Sequence, residues 1–221
     1  MPAMLDDPTA ATLPAPTPTT TPTPTPVTLR DGTPATLYPI LTPASLPTSL
    51  VTFLAAQFNA EVERGDTYPH DQPLAPEHFR EYWFGAFGAV LLLGAYEEGV
   101  LQDEGRDWAE CCLGTFYVKP NYPGRCGHVC NAGFLTMPAA RGRGCGSVMG
   151  REYLVVAKQL AGGRGKGYTY SVFNLVFETN VASLRIWDGL GFERIGRVKG
   201  AARLKSYPGR MVDAFMIGKD L

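Results

Sequence analysis

Basic side chains are missing from the first 29 positions, where Asp6 and Asp7 carry the only charges. That argues against a secretory signal or an Arg-rich transit peptide, so a cytoplasmic location is expected, with a mitochondrial pool compatible with it. Long apolar runs are missing too. The longest, Ala86 to Tyr96, is too short to span a bilayer, and no membrane partner is expected. There is no excess of positive charge (formal net charge −1), which disfavours nucleic acid as a partner. The five cysteines are an odd number with Cys111 and Cys112 adjacent, so they do not read as a disulfide framework and a reducing compartment is expected. Cys126-x-His128-x-Cys130 lacks the spacing of a zinc finger or knuckle and has no second ligand pair, so no metal is expected.

What the chain does contain falls into two parts. Residues 8–26 are almost entirely Pro, Thr and Ala, a composition that cannot bury a core and favours extended polyproline conformers. We assign 1–26 to a disordered tail and 27–221 to a single folded domain, long enough for one sizeable core. Within the domain, the spacing of Leu50, Phe53, Leu54 and Phe58 predicts a helix over 46–64, stopped by Gly65. A shorter helix is predicted over 76–84. Strands are predicted over 89–96, 112–119, 131–137, 168–177 and 211–217, and further helices over 144–160 and 181–190. Mixed strands and helices around one sheet give an α/β or α+β fold.

The densest signal is Arg141-Gly142-Arg143-Gly144-Cys145-Gly146, between a predicted strand and a predicted helix. Glycines let backbone N–H groups approach a phosphate, and the helix N-terminus adds roughly half a positive charge. Arg141 can add a charge-assisted hydrogen bond. The spacing is not that of a Walker loop: around Gly165-Lys166, Leu160 stands where the first Gly belongs and Gly167 where Ser or Thr belongs. A dinucleotide GxGxxG also fails, with Met149 at its last position. The pattern Arg-x-x-Gly-x-Gly does fit, on Arg141, Gly144 and Gly146. It resembles the pyrophosphate loop of the GCN5-related N-acetyltransferases, which use acetyl-coenzyme A.

A second segment, Asn180 to Phe192, resembles that superfamily's Asn-x-x-Ala-x-x-x-Tyr-x-x-x-Gly-Phe signature and follows the glycine loop in the expected order. Residues 115–122, 130–135 and 171–180, with Gly65-x-Thr67-Tyr68-Pro69 and Tyr82-Trp83-Phe84, are similar to the fungal imino-acid N-acetyltransferases that act on L-azetidine-2-carboxylate. The resemblance runs from about residue 46 to the C-terminus. It implies a single mixed, mostly antiparallel sheet flanked by helices, acetyl-CoA as co-substrate, a small cyclic imino acid as acceptor, a homodimer, and a link to proline metabolism and stress tolerance. It also implies roles by position. Asn131 would recognise the substrate. The backbone amides of Asn174 and Leu175 would hold its carboxylate. Asn180 would face the coenzyme A sulfur, and the Phe134 N–H would face the thioester carbonyl. Arg141, Gly142, Arg143, Gly144, Cys145 and Gly146 would bind the pyrophosphate, with Ser183 a further cofactor contact.

Acetyl transfer passes through a tetrahedral oxyanion that needs a donor such as the Phe134 N–H. The thiolate leaving group is often protonated by a Tyr seven residues after the motif asparagine, and here that residue is Trp187. Its indole is not a useful acid, so an amide donor from Asn180 is the substitute. Plainer roles stand beside these. Asn180 also fits a helix N-cap, Asn131 a strand edge, Asn174 a structural amide, Arg143 a solvated charge and Trp187 a core residue. Glu178 is the candidate general base by strand alternation, with His128 second. The alternatives to an imino-acid acceptor are another small amine, a protein amine, or a non-catalytic coenzyme A-binding module.

Overall fold

The computed structural model describes residues 17–18, 22–40, 42–162 and 166–221. In chain order the elements are β1 (Thr17–Pro18), β2 (Thr25–Thr28), β3 (Pro34–Ile40), α1 (Thr48–Arg64), α2 (Pro76–Phe84), β4 (Phe87–Leu93), α3 (Trp108–Cys111), β5 (Cys112–Pro120), β6 (Val129–Thr136), α4 (Cys145–Gln159), β7 (Leu160–Gly162), β8 (Lys166–Gly167), β9 (Tyr170–Phe177), α5 (Val181–Gly189), β10 (Glu193–Ala202) and β11 (Val212–Asp220). Eight of the strands form one sheet in the order β10-β11-β9-β6-β5-β4-β3-β2, and β1, β7 and β8 form a small second one. Every neighbouring pair in the large sheet is antiparallel except β6 and β9. Of the tail expected over 1–26, residues 1–16 and 19–21 lie outside the described residues, while Thr25 and Pro26 already belong to β2.

The two faces of the sheet are covered by different helices. On one face, Trp83 of α2 donates its indole N–H to Thr115 of β5 (3.0 Å), whose hydroxyl donates to the Ala89 carbonyl (2.7 Å). α1 lies beside α2 and buries Leu50, Leu54 and Phe58. Its N-terminus has no cap of its own. Glu104 supplies one from a distant loop, accepting from the Thr48 and Ser49 amides at 2.7 and 3.1 Å, and those two bonds lower its pKa. On the other face, α4 buries Met149 and Tyr153 against β5 and β6, and α5 packs beside it. Gly65 ends α1 in the left-handed conformation that the sequence predicted for a glycine stop.

Three strands of the large sheet escaped the sequence patterns, as did β1, β7 and β8 of the small one. β10 is solvent-facing along most of its length, so Glu193–Ala202 shows no apolar alternation. β2 and β3 carry three prolines. Pro26 sits on the outermost strand, and Pro39 lies beyond the rungs that β2 makes with β3, so neither interrupts a ladder on that side.

Candidate functional site

The parallel pair is the feature that makes a site. β6 and β9 are in register only at Val129↔Tyr170 and Cys130↔Ser171. Beyond those rungs the strands diverge and leave a wedge through the middle of the sheet. A cavity of about 680 Å³ fills the wedge on the α4/α5 side, lined among others by Phe134, Arg141, Gly144, Gly146, Asn180 and Ser183. A second, of about 750 Å³, opens on the other side between α1, the 65–73 loop and the β10–β11 hairpin. The two share Tyr68, Leu175 and Phe177 as walls.

The glycine loop does what its composition predicts. Gly142 and Gly144 adopt φ of 81° and 85°, values that suit glycine. Gly144 then caps α4 with no side-chain hydrogen bond to the helix end. The first N–H groups, those of Cys145, Gly146 and Ser147, belong to residues that line the cavity, while the Val148 amide is already bonded to the Gly144 carbonyl at 3.0 Å. Arg30, from the β2–β3 turn, and Arg185, on α5, also line the cavity. Sequence reasoning missed both because neither lies near the loop in the chain.

The two loop arginines part company. Arg141 lines the cavity, where its guanidinium pairs with Glu61, a nearly buried carboxylate also held by Arg64 (2.6 Å) and Thr67 (3.3 Å). Arg143 is not among the lining residues. It turns to Asp31 (3.0 Å) and Thr33 (3.1 Å) on the β2–β3 turn. Hydrogen bonds from the Thr33 hydroxyl and amide, together with Arg143, hold the Asp31 carboxyl down at about 2. Here Arg143 braces the loop from outside, paired with Asp31 and Thr33 rather than standing as the solvated charge of its plainer sequence reading.

Deeper in the wedge, the Phe134 carbonyl accepts from the Tyr68 hydroxyl at 2.7 Å. A strand residue's N–H and C=O point the same way, so a carbonyl taken by Tyr68 turns the Phe134 N–H toward the wedge as well. Burial pushes the Tyr68 phenol upward and keeps it a donor. Tyr68 lines both cavities, and no sequence pattern singled it out, since its partner lies 66 positions away.

Asn180 serves two directions. Its Oδ1 accepts from the Ser183 amide at 3.2 Å and so caps α5, which turns its Nδ2 the other way. Ser183 in turn accepts from the Trp187 indole at 2.9 Å. Trp187 is buried against Phe134 and Phe173, with ring centroids 4.8 and 4.6 Å away, so the indole is a core residue with its N–H already used.

Asn131 and Asn174 are brought together, though neither lines either of these two cavities. Both donate to the Oδ1 of Asn121, at 3.0 and 2.7 Å, and Asn121 donates back to Asn174 at 3.2 Å. The β9–β11 ladder slips at this point: Ile217 pairs with Phe173 and Phe215 with Val176, so β9 carries one extra residue at Asn174–Leu175. That is a β-bulge, which interrupts the ladder and re-aims the chain. It also shifts the alternation on which the general-base reading relied. Glu178 lies outside both cavity linings, bonded to Arg210 at 2.5 Å. The structure gives no support to it as the base, nor to His128, which also lines neither cavity. Cys145 and Cys130 are buried thiols, and burial raises both, Cys130 to about 12, which disfavours the thiolate a nucleophile needs. Among the described residues no cluster of His, Cys, Asp or Glu is placed to hold a metal, and no helix is long and apolar enough to cross a membrane.

The chain is 40% identical over 171 residues to the N-acetyltransferase aca1 of Schizosaccharomyces pombe, covering 76% of this chain and 78% of that one. Its fold matches a GCN5-related N-acetyltransferase from Kribbella flavida at 26% identity and a TM-score of 0.60, covering 84% of this chain and 98% of that one. The chain belongs to the GCN5-related N-acetyltransferases. This N-acetyltransferase shares its fold with a phosphinothricin acetyltransferase from Sinorhizobium meliloti solved with acetyl-CoA, at 16% identity and a TM-score of 0.61, over 85% of this chain and 88% of that one. It is also 35% identical over 220 residues to Protein SPT10 of Saccharomyces cerevisiae, of which it spans 33%. No family model matches the chain.

Proposed function

We propose that this enzyme transfers the acetyl group of acetyl-CoA to the amine of a small carboxylate-bearing acceptor, with cyclic imino acids of the azetidine-2-carboxylate type as the preferred class. One observation carries the reading: the two cavities share Tyr68, Leu175 and Phe177 as walls beside the opened β6–β9 pair, an arrangement that suits a thioester reaching in from one side and an amine arriving from the other.

On the cofactor side the donor set suits a pyrophosphate and an extended thioester arm. The uncapped start of α4, Arg141, Arg30 and Arg185 supply positive potential. A Phe134 N–H turned toward the wedge would suit a thioester carbonyl as it gains negative charge, and the Asn180 Nδ2, turned away from the α5 cap, would suit the departing sulfur. The amine nitrogen bonds to the thioester carbonyl carbon to give a tetrahedral oxyanion, and collapse of that oxyanion breaks the C–S bond. The amine loses its proton to water, and the thiolate is stabilised by the Asn180 carboxamide. No cysteine enters the reaction.

On the acceptor side, two features favour an anionic small molecule. The bulge at Asn174–Leu175 interrupts the β9 ladder beside Leu175, which lines both cavities. Lys119 stands opposite Asn131 in the β5–β6 pairing, its ammonium 4.5 and 4.4 Å from the ring centroids of Tyr82 and Tyr117. Opposed residues share a face, so a cation accompanies the asparagine cluster.

The test is a competition among acceptors. Purified enzyme with acetyl-CoA and an equimolar mixture of L-azetidine-2-carboxylate, L-proline, primary amino acids, polyamines and lysine peptides is followed by mass spectrometry. Acetylated azetidine-2-carboxylate or another carboxylate-bearing amine as first product supports the reading. First acetylation of a polyamine or peptide contradicts it.

A further inference from the structure

The asparagine cluster has a centre that the motifs did not mark. Asn121 follows directly on β5 and is 7% exposed, and its backbone N–H closes the β5–β6 turn on the Val129 carbonyl at 2.8 Å. Its carboxamide forms three side-chain bonds, with Asn131 on β6 and Asn174 on β9. Those strands part just after the Cys130↔Ser171 rung. The same rung is gripped on the opposite face by the Tyr153 hydroxyl, 3.2 Å from Cys130 Sγ and 2.6 Å from Ser171 Oγ. The apex of the wedge is thus pinned on both faces. The Tyr153 pin is sealed inside the core, whereas the Asn121 pin holds the side chain of Asn174 at the bulge.

We infer that Asn121 is a positioning residue for the amine substrate: it fixes the amide direction of Asn131 and Asn174 and holds the Asn174–Leu175 bulge in its carboxylate-receiving form. This rests on the proposed carboxylate-bearing acceptor. Asn121 is buried while Asn131 and Asn174 are half-buried, and a buried carboxamide is tolerable only when it pairs, so mutual satisfaction alone would make the cluster a structural feature. The two roles differ in what they do to the kinetics. A structural role changes stability and both substrates together, while a positioning role changes the amine and spares acetyl-CoA.

Two variants separate them. Asn121→Leu removes all three bonds at similar volume. Asn121→Asp keeps the acceptor for both neighbouring amides but sets a negative charge beside the bulge. For Asn121→Leu the amine KM is expected to rise about tenfold with the acetyl-CoA KM within about twofold. For Asn121→Asp, the KM for the carboxylate-bearing amine is expected to rise at least about tenfold more than that for its carboxamide analogue. That is the scale of like charges brought within about 7 Å in a partly buried site. Equal rises for acid and carboxamide, or a matching rise for acetyl-CoA, overturn the inference, as does an unchanged amine KM in both variants. Wild-type enzyme that turns over the carboxamide but not the acid sinks the acceptor reading itself, and this inference with it.

Discussion

Asn180 gives the sharpest test of the thiolate assignment, because one carboxamide is used at both ends. Its Oδ1 caps α5 through the Ser183 amide at 3.2 Å, and in the proposed mechanism its Nδ2 donates to the sulfur. Asn180→Ala removes both. Loss of an N-cap destabilises by about 1 kcal/mol, which for a domain of this size lowers Tm by roughly 2–4 °C. Asn180→Asp keeps the cap and places a carboxylate at the positive end of α5, so its Tm should equal or exceed that of wild type. It also replaces the amide donor with an oxygen that repels a thiolate. Removing a donor aimed at developing charge lowers kcat by about 10²-fold, and a repelling charge lowers it further. The two variants are therefore ordered oppositely by the two assays: Asp above Ala in thermal stability, Asp below Ala in kcat. Differential scanning fluorimetry and thiol release measured on the same preparations settle the order. If Asn180→Asp keeps turnover within about threefold of wild type, the donor role is wrong and Asn180 is a cap alone.

Arg141→Ala should raise the acetyl-CoA KM by about tenfold or more, since it faces the cavity, whereas Arg143→Ala, braced on Asp31 and Thr33, should raise it by less than about threefold. Equal effects would contradict the division between them. Alkylation at pH 8 should label the exposed Cys126 first and leave Cys130, raised to about 12 by burial, and Cys145, also raised, as unreactive thiols with activity intact. Early labelling of Cys130 with loss of turnover would reverse that assignment. Tyr68→Phe frees the Phe134 carbonyl and should lower kcat by about tenfold while leaving the acetyl-CoA KM near its wild-type value. Glu61, the sole carboxylate lining the cofactor-side cavity, is held by Arg64 and Arg141; Glu63, His70 and Asp71 line the acceptor-side cavity, and the proposed mechanism passes the amine's proton to water rather than to any of them. The amine kcat/KM should therefore rise with pH as the acceptor amine deprotonates. A break near pH 6–7 that does not move when the amine is changed would reveal an enzymic base, near the pKa such a base is tuned to.

Much of the fold could be read from periodicity because its core elements carry it: the apolar faces of α1 and α4 and the aromatic run of β9 sit close to where the patterns put them. β10 could not be read, because an exposed edge strand has no buried face to impress on its sequence. In the site, the glycine loop and Asn180 were legible because backbone geometry and capping restrict residue type locally. Tyr68, Arg30 and Asn121 were not, because their partners are distant in the chain or, for Asn121, because an asparagine after a strand looks like any turn residue. The bulge at Asn174–Leu175 was invisible for the same kind of reason. It is a property of how β9 pairs with β11, and it undid the alternation that had pointed to Glu178.

The central claim is that the opened β6–β9 pair brings acetyl-CoA and a small carboxylate-bearing amine together for direct transfer. It is tested most directly by the rate of free thiol release from acetyl-CoA with and without L-azetidine-2-carboxylate. The account predicts saturable release that depends on the imino acid and yields one N-acetylated product per thiol. Acetyl-CoA binding without imino-acid-dependent release would contradict it.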